Sequence, residues 1–573
     1  MRIDWAMKAA DPRQVSTLQN ALRCHRLTAR LLVNRGILAP EEARAFTAPS
    51  LSFLRPPAVL RDMAPAAQRL ARAVIGKEPI LIFGDYDADG VTAAALLHTF
   101  LIHCNADVRV HLPHRIREGY GLQEIHIVRP ALSNRIGLIV TVDCGCASHR
   151  ALAAAKSAGI DVIVTDHHQV SDPLPEAVAV VNPCRPDCPS NMAFLSGAGV
   201  CFYLLIALRQ QLREAGFWKG RIEPNLRDYC DLVALGTVAD MVPLQQENRI
   251  LVRAGLDVLN AAPRPGMAGL MAAAGVDRPW ADAEDLAFRL APRINAAGRM
   301  AHAMAAFRLL TATDRSSARR ITALLDRLND RRREKEAQML AQAQETLERK
   351  PELSRRRTLV LSHSHWPEGI LGIVASRLVR KFHRPVVLIS TRSGTGKGSA
   401  RSIPGIDLHG ALARVSDSLD RFGGHAMAAG ITIAADRIEE FEHRLEEAVC
   451  RSADPEAFVK TLPIDAEVSF SEISEPLMEE IDALRPFGEG NPEPLLMARS
   501  IDVVSAKPAG ADHLRLQLRQ DNGAGGRTFE AIRFGAGTHL RRNRFERIAF
   551  QLRWNRWRGR RRLQIVIQAV DDE

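Results

Sequence analysis

The chain has 573 residues, of which 46% are hydrophobic and 25% are charged, a balance typical of a soluble protein with several domains. No apolar run is long enough to predict a membrane span or a secretory signal, and nine scattered cysteines predict a reducing, cytoplasmic environment. The formal charge of +11 favours a polyanionic partner.

The chain begins with a predicted helical segment, in which Val15 to Arg30 and Pro40 to Ala48 are expected to form helices. A further helix is predicted from Pro65 to Ile75. From Pro79 to about Leu251, apolar strands alternate with helical runs such as Val91 to Leu101. This alternation predicts a parallel sheet covered on both faces by helices.

Acidic side chains follow several of these predicted strands. Asp85, Asp87 and Asp89 come directly after the apolar run Ile80 to Phe83, and Asp143 follows Leu138 to Val142. Further candidates occupy similar positions after apolar segments predicted to end as strands or loops: Asp166 and His167-His168 after Val162 to Thr165, and Asp240 after Leu235 to Ala239.

The arrangement favours a site for hard divalent cations. Parallel sheets bind ligands beyond the carboxyl ends of their strands, and such cations prefer carboxylate oxygens. A single acidic turn would be explained equally well as a helix cap. Four separated segments make a metal site the better interpretation.

The four motifs, in this order, resemble those of the DHH phosphoesterase superfamily, and within it those of bacterial single-strand-specific 5′ to 3′ exonucleases. Some relatives carry a histidine at the position of Phe83, so a site in this chain has to form without that ligand. The resemblance implies two α/β lobes, a DHH and a DHH-associated domain, joined by a long helix, with a C-terminal OB-like β-barrel.

The resemblance also implies two divalent ions, Mn²⁺ in preference to Mg²⁺, although the ligand types admit either. Asp143 would bridge the ions. Asp87, with Asp85 beside it, would bind one ion, and Asp89, His167 and Asp240 would bind the other. Asp166 would orient the histidines, and His168 would contact the scissile phosphate or assist proton transfer.

Residues outside the acidic motifs are predicted to bind substrate. Arg115 lies where similar exonucleases hold a phosphate, and its alternative is a surface salt bridge with Glu118. The segment Arg293 to Met300 resembles a motif of these exonucleases, which assigns Asn295 and Arg299 to the phosphate and Arg299 to the catalytic groups; read alone, it predicts a helix-terminating turn.

A long helix is predicted after this motif, because neither proline nor glycine occurs between Asp314 and Lys350. It would connect two lobes, with its charged middle from Asn329 to Glu336 solvated. A coiled coil is the alternative, but the apolar repeat is too interrupted for one.

A second α/β unit is expected from about Thr358. Its glycine-rich stretches, among them Gly396 to Ser402 and Phe422 to Gly430, form tight turns or contact substrate. The resemblance favours substrate contact by Ser399, Arg401 and His425, with Arg115, Ser399 and Arg401 binding the 5′ end.

The C-terminal region predicts a β-barrel with arginines on its outer face. Leu514 to Leu518, Ile548 to Trp554 and Leu563 to Ile567 alternate apolar and polar residues, and residues 541–573 contain ten arginines against four acids. Trp554 lies on the apolar face, whereas Trp557, predicted in the turn near Gly559, is the candidate for stacking on a base.

The predicted domains are an N-terminal helical segment (1–64), a DHH domain (65–255), a helical region with the long helix (256–350), a DHH-associated domain (351–455) and an OB-like domain (456–573). The expected activity is metal-dependent 5′ to 3′ degradation of single-stranded DNA to 5′-mononucleotides in repair and recombination. The alternatives are a DHH phosphodiesterase for cyclic dinucleotides or very short RNA, and a non-catalytic single-strand-binding scaffold. The resemblance implies a RecQ-type helicase and a single-strand-binding protein as partners. The composition predicts no membrane association, and a monomer is the default expectation.

Overall fold

The computed structural model describes residues 3–128, 135–170, 172–277, 279–510, 512–520, 526–537, 543–557 and 560–571. The mixed α/β architecture predicted from the sequence is confirmed: two α/β lobes are joined by a long helix and followed by a β-barrel. Within the described residues, no helix combines the length and apolarity needed to cross a membrane.

The first lobe is built on a parallel five-stranded sheet of order β3-β2-β4-β5-β6. Its strands are β2 (Ile80–Gly84), β3 (Val108–His111), β4 (Leu138–Val142), β5 (Asp161–Thr165) and β6 (Ala179–Val181). Alternate residues of β2 enter different cores, with Ile80 and Ile82 on one face and Leu81 and Phe83 on the other. Burial on both faces explains why these strands are continuous apolar runs.

Helices cover both faces of this sheet. They are α4 (Met63–Ile75), α5 (Ala88–His103), α6 (Glu124–Val128), α7 (His149–Ser157), α8 (Gly197–Glu214) and α9 (Cys230–Ala239). The prediction that Asp240 closes a strand is wrong, because the apolar run before it forms α9 and Asp240 caps the C-terminus of that helix. A short apolar run does not distinguish a buried strand from a buried helix.

A helical region follows the first lobe. It comprises α10 (Gln246–Ala261), α11 (Pro265–Ala274), the short α12 (Ala283–Asp285) with a π-helical turn at Leu286–Leu290, α13 (Ala291–Met300) and α14 (Met304–Leu310). The segment Arg293 to Met300 is therefore the body of α13 and not the helix-terminating turn that it predicts in isolation.

The long helix α15 (Arg315–Arg349) has 35 residues, close to the predicted bounds, and spans about 50 Å at ~1.5 Å per residue. Most of its charged middle is exposed as predicted, namely Asp330, Arg331, Arg333, Glu334 and Lys335. The two ends of this stretch are exceptions. Asn329 and Glu336 are buried, and Glu336 forms ion pairs with Arg332 of the same helix and with Arg377 of the second lobe. Charge in the sequence signalled exposure, whereas these side chains form a buried ionic contact.

The second lobe has a five-stranded sheet of order β10-β11-β9-β8-β7. Its elements are β7 (Leu359–His363), α16 (Leu371–Phe382), β8 (Val386–Arg392), β9 (Thr395–Arg401), α17 (Leu408–Ala413), β10 (Arg421–His425), β11 (Ala428–Ala434) and α18 (Ile438–Ser452). The glycine-rich stretches lie mostly in strands β9, β10 and β11, so the tight-turn alternative is wrong for most of their length.

A closed five-stranded barrel forms the C-terminal unit, since β14 pairs with β15 on one side and with β17 on the other. Its elements are β12 (Lys460–Ile464), β13 (Ala466–Glu467), α19 (Glu475–Asp482), β14 (Leu496–Pro508), β15 (His513–Gln520), β16 (Thr528–Phe534), β17 (Arg544–Trp557) and β18 (Arg560–Val570).

The N-terminal segment packs on this barrel. It contains β1 (Ile3–Met7), α1 (Pro12–Leu22), α2 (Arg26–Val33) and α3 (Pro40–Thr47). Strand β1 pairs in parallel with β12, and Leu18, Leu31 and Leu32 enter the barrel core. The prediction of one helix over Val15 to Arg30 is wrong, because α1 ends at Leu22 and α2 begins at Arg26.

Candidate metal centre and anion-binding cleft

The carboxyl ends of the parallel strands bring the predicted ligands together. Asp85 follows β2, Asp143 follows β4, and His167 follows β5. Asp87 is the N-cap of α5, and its Oδ1 accepts hydrogen bonds from the backbone N–H groups of Asp89 and Gly90 at 3.0 and 3.1 Å. The same turn is thus a helix cap and part of an acidic cluster, so the two interpretations of this motif are compatible.

Three overlapping groups of side chains bring ligand atoms within 4.8 Å of one another around the predicted centre. They are Asp85, Asp87 and Asp143; Asp89, His167 and Asp240; and Asp143, His167 and His168. Asp143 belongs to two of them and lies between the other members. This is the position that a carboxylate bridging two ions requires.

The cluster has far more negative charge than the protein neutralises. Burial, followed by the charge of Asp87, raises the pKa of Asp85 well above its usual range and that of Asp89 to about 7. Burial and the charge of Asp89 raise the pKa of Asp143 well above its usual range and that of Asp240 to about 9. Bound cations would remove the repulsion that opposes ionisation of these carboxyls.

Unpartnered atoms point to the same conclusion. Within the described residues, Asp85 Oδ1, Asp143 Oδ1 and His167 Nε2 are buried without a hydrogen bond. Buried polar atoms normally have partners, so these oxygen and nitrogen atoms fit the ligands of divalent cations.

His167 has the protonation state of a metal ligand. Burial, and then the charge of His168, lowers the pKa of His167 to about 4, so its ring is neutral. The backbone of Leu195 forms a hydrogen bond with this ring. Its Nε2 lies 3.1 Å from Asp143 Oδ1 and 3.5 Å from Asp240 Oδ2. A neutral nitrogen beside two carboxylate oxygens is favourable when a cation lies among them.

His168 is held differently from its neighbour. Its Nδ1 donates to Asp166 Oδ1 at 2.8 Å, and the backbone N–H groups of His167 and His168 donate to the same oxygen. Burial alone would lower the pKa of His168, but the hydrogen bond and charge of Asp166 raise it to about 9. Asp166 therefore fixes the ring of His168 and the backbone of both histidines.

The sequence did not identify Gly197, the first residue of α8. The N–H of Gly197 donates to Asp89 Oδ2 at 2.6 Å, and that of Ala198 donates to Asp89 Oδ1 at 3.0 Å. A Cβ at Gly197 would lie 2.5 Å from Asp143 Oδ1. The helix N-terminus thus approaches two acidic residues of the cluster, which only a glycine permits.

Three arginines lie near one another beside the cluster, where the first lobe meets the second, and we call this region the cleft. Among the described residues, Arg115, Arg299 and Arg401 have no carboxylate within 4 Å. Burial, followed by repulsion from Arg115, lowers the pKa of Arg299 to about 10. The charge of Arg401 lowers this pKa further, whereas the charge of Asp87 raises it. Guanidinium groups without a protein counter-ion form a site for a phosphate.

Each arginine is positioned by its own contacts. The guanidinium of Arg115 lies 4.2 Å above the ring of Tyr86, and Glu118 binds other residues, so the alternative Arg115–Glu118 salt bridge is wrong. Arg299 Nη1 donates to the backbone oxygen of Gly369 at 2.9 Å, a contact between α13 and the second lobe.

Ser399 and Arg401, the predicted phosphate-binding residues of the second lobe, are in contact. Arg401 Nη1 donates to Ser399 Oγ at 3.1 Å, and a Cβ at Gly372 would lie 2.6 Å from Arg401 Nη2. His425 lines a cavity of about 800 Å³ together with Tyr120, His168 and Arg421, so this cavity reaches the acidic cluster at His168.

Two predicted substrate contacts have other positions. Asn295 Oδ1 accepts a hydrogen bond from the backbone N–H of Ala88 at 2.9 Å, so it helps to cap α5 beside Asp87. Trp557 is the last residue of β17, not part of a turn, and its side chain lies outside the described residues, as does the predicted turn at Gly559.

Comparison with known proteins identifies the lobes. The DHH family, N-terminal domain, matches residues 79–237, the DHHA1 domain matches residues 356–450, and the RecJ OB domain matches residues 464–569. The fold of the two lobes is therefore that of the DHH phosphoesterase family.

Several curated proteins resemble nearly the whole chain. The single-stranded-DNA-specific exonucleases RecJ of Dickeya dadantii and Escherichia coli are each 37% identical, with 95% of this chain and 95% of each relative covered. The RecJ of Bacillus subtilis is 34% identical over 91% of this chain, which spans 65% of that longer relative. The chain belongs to the RecJ family.

Two solved structures extend the comparison. RecJ from Thermus thermophilus in complex with Mn²⁺ matches with a TM-score of 0.82 and 31% identity, covering all of this chain and 80% of the other. Exonuclease RecJ bound to manganese matches with a TM-score of 0.59 and 37% identity over 71% of this chain and 97% of the other.

Proposed function

We propose that this protein is a metal-dependent exonuclease that degrades single-stranded DNA from the 5′ end and releases 5′-mononucleotides. The observation that carries the proposal is an under-neutralised carboxylate cluster centred on Asp143, directly beside three arginines without carboxylate partners. The first feature suits divalent cations, and the second suits a phosphate of the substrate. Family membership supports the same substrate class, because the curated relatives are named single-stranded-DNA-specific exonucleases.

The cluster contains enough ligands for two ions. Asp85 and Asp87 would hold one, Asp89, His167 and Asp240 the other, and Asp143 both. Divalent ions bound there supply Lewis acidity that activates water and stabilises the charge developing on a phosphodiester. We propose Mn²⁺ as the preferred ion, in keeping with the Mn²⁺ complexes of the related structures, and Mg²⁺ as an alternative.

The protein side chains orient the substrate and donate hydrogen bonds to its phosphate. His168 carries a proton at neutral pH because Asp166 stabilises its cationic form, so it offers a charged donor to a phosphate oxygen. Arg299 reaches the cleft from α13 and is proposed to contact the same phosphate. Asp166 acts through His168, since its oxygens bind that ring and nearby backbone N–H groups.

The 5′ polarity follows from the arginines. A 5′-terminal phosphate carries about two negative charges near neutral pH, more than an internal phosphodiester. Arg115 and the Ser399–Arg401 pair would hold it from opposite lobes and place the first diester at the cluster. The contact between Arg299 and Gly369 joins the lobes, and we propose that the space between them admits a single strand but not a duplex.

The β-barrel would receive the strand before it enters the cleft. Barrels of this type bind single strands through a basic surface and stacking aromatics, the role proposed for Trp557. A RecQ-type helicase would supply single-stranded DNA, and a single-strand-binding protein would cover it. We further propose that the protein is a monomer and that it acts in the cytoplasm during repair and recombination.

The test is to incubate the protein and Mn²⁺ with single-stranded DNA labelled at either end, the matching duplex and a dinucleotide. The expected result is early release of the 5′ label as a mononucleotide, with the duplex spared. Hydrolysis of the dinucleotide alone would instead favour a small-substrate phosphodiesterase. Asp143→Asn should abolish the activity, and Asp107→Asn, an exposed residue at the opposite edge of the same sheet, should leave it unchanged.

A further inference from the structure

Glu118 lies at the centre of a second cluster, behind the metal ligands. Its Oε2 lies 2.9 Å from Nε2 of His111, the last residue of β3, and 3.0 Å from Nε2 of His126 in α6. The side chain of His126 is fully buried, and those of Glu118 and His111 are largely buried. We call these three residues the Glu118 clamp.

The hydrogen bonds in the clamp favour a structural contact over a metal site. The backbone N–H of Gln123 donates to Nδ1 of His126 at 3.0 Å, so the ring proton of neutral His126 is on Nε2, where it can donate to Glu118. A cation bound at Nε2 would move that proton to Nδ1, against the N–H of Gln123. Burial alone would raise the pKa of Glu118, but its bonds to His111 and His126 lower it, so Glu118 is ionised and accepts both bonds.

The clamp rests on the strand that leads to the first metal ligands. The ring of Phe83 is fully buried, with its centre 5.4 Å from that of His111 and 4.9 Å from that of His126. Phe83 is two residues before Asp85. The position occupied in some relatives by a histidine therefore supports the clamp in this chain.

Glu118 belongs to the loop between β3 and α6, which carries two residues of the cleft. Arg115, three residues earlier, lies over Tyr86, and its buried Nε has no hydrogen-bond partner among the described residues. The hydroxyl of Tyr120, two residues later, is 3.2 Å from His168 Nδ1. Glu118 thus attaches the loop to the lobe between the two points where the loop reaches the cleft.

We propose that Glu118 is a positioning residue: by binding His111 and His126 it holds the loop of residues 113–121 so that Arg115 can bind the 5′-phosphate of the substrate. This inference rests on the proposed function, in which Arg115 binds that phosphate. Glu118 itself does not contact the substrate.

The experiment compares Glu118→Ala with Glu118→Gln, whose amide oxygen can still accept both N–H groups. Binding of oligonucleotides with a 5′-phosphate or a 5′-hydroxyl is measured by fluorescence anisotropy in EDTA, where turnover does not occur. Glu118→Ala should weaken binding of the phosphorylated strand about tenfold, equivalent to ~1.4 kcal/mol, with little change for the hydroxyl strand. Glu118→Gln should restore most of the affinity, and Glu124→Gln, an exposed carboxylate at the start of α6, should bind as the unmodified protein does.

A double-mutant cycle identifies the residue through which Glu118 acts. In an Arg115→Ala background, Glu118→Ala should add less than about a twofold change, because the contact that it positions is already gone. The same tenfold effect in both backgrounds, or equal weakening of both oligonucleotides, would overturn the proposal. The proposal would also be overturned if titration calorimetry showed that Glu118→Ala binds one Mn²⁺ fewer than the unmodified protein, because the Glu118 clamp would then be a metal site.

Measurements of cleavage and binding by the unmodified protein distinguish a failure of this inference from a failure of the proposed function. Failure to release mononucleotides from single-stranded DNA would refute the exonuclease. A protein that cleaves but binds both 5′ ends equally would refute the role of Arg115, and with it that of the clamp.

Discussion

Arg249 of α10 connects three parts of the protein, and its removal should loosen the barrel. Its guanidinium is almost fully buried and donates to five backbone oxygens, those of Phe46, Ala483, Leu484, Arg485 and Pro486, at 2.7 to 3.5 Å. It also lies 3.7 Å from the ring centre of Phe46. These residues belong to the end of α3 and to the segment after α19, so one side chain from the helical region binds both the N-terminal segment and the barrel unit.

Arg249→Met keeps most of the side-chain length but removes every donor. The oxygens of Leu484 and Pro486 still accept hydrogen bonds from Asn491 Nδ2, so three carbonyls are left without a partner. At about 1 kcal/mol for each of them, the predicted loss in the free energy of unfolding is about 3 kcal/mol. Relief of the buried charge opposes this, because burial lowers the pKa of Arg249 to about 9. A net loss of about 2 kcal/mol is expected.

Urea unfolding followed by tryptophan fluorescence measures this change, and hydrolysis of a long strand and a dinucleotide measures its consequence. Activity on the long strand should fall more, since only the long strand spans barrel and cleft. Arg253→Met is the matched control one turn away, because Arg253 is exposed and its ion pair with Asp257 is a surface contact, expected to contribute less than about 1 kcal/mol. A loss in Arg249→Met no larger than in the control would refute this reasoning.

Three further changes test the site. Arg401→Ala should lower kcat/KM about 10- to 100-fold on 5′-phosphorylated strands and less on 5′-hydroxyl strands, as expected for loss of a charge-assisted hydrogen bond, and equal losses on both would contradict the assignment. In EDTA, the folded protein holds protons on Asp89 and Asp240 that the unfolded chain releases, because their pKa values are raised from 3.8 to about 7 and about 9. The stability of the metal-free protein should therefore fall as pH rises from 3.8 towards these values, and Mn²⁺ should restore more stability at higher pH; calorimetric melting temperatures independent of pH would refute this. Gly197→Ala should weaken Mn²⁺ binding, measured by titration calorimetry, because the new Cβ would lie 2.5 Å from Asp143 Oδ1, and unchanged affinity would show that the helix can shift without cost.

The acidic cluster was predictable because its geometry follows from a local rule. Asp85 and Asp143 come directly after an apolar strand and His167 comes two residues after one, and the carboxyl ends of parallel strands lie at one edge of the sheet. The structure brings Asp240 to the same cluster, but the strand predicted before it is wrong, because the buried helix α9 is as uniformly apolar as a buried strand.

Features that depend on distant contacts were not predictable from pattern. Strand β1 pairs with β12 at the other end of the chain, and nothing in its own five residues specifies that partner. Likewise, Glu118 was expected at most to pair with Arg115, since sequence separation suggested a neighbour in the same loop. Its partners His111 and His126 become adjacent only when β3 and α6 pack together.

The most direct test of the account is the rate of 5′-mononucleotide release from single-stranded DNA by metal-stripped protein as Mn²⁺ is added, compared with Asp143→Asn. Metal-dependent hydrolysis at the cluster centred on Asp143 predicts no release without metal and a rate that rises with Mn²⁺ in the unmodified protein. Asp143→Asn should lower the rate at least about a thousandfold while strand binding is retained. Release that persists in metal-stripped protein, or in Asp143→Asn at saturating Mn²⁺, would contradict it.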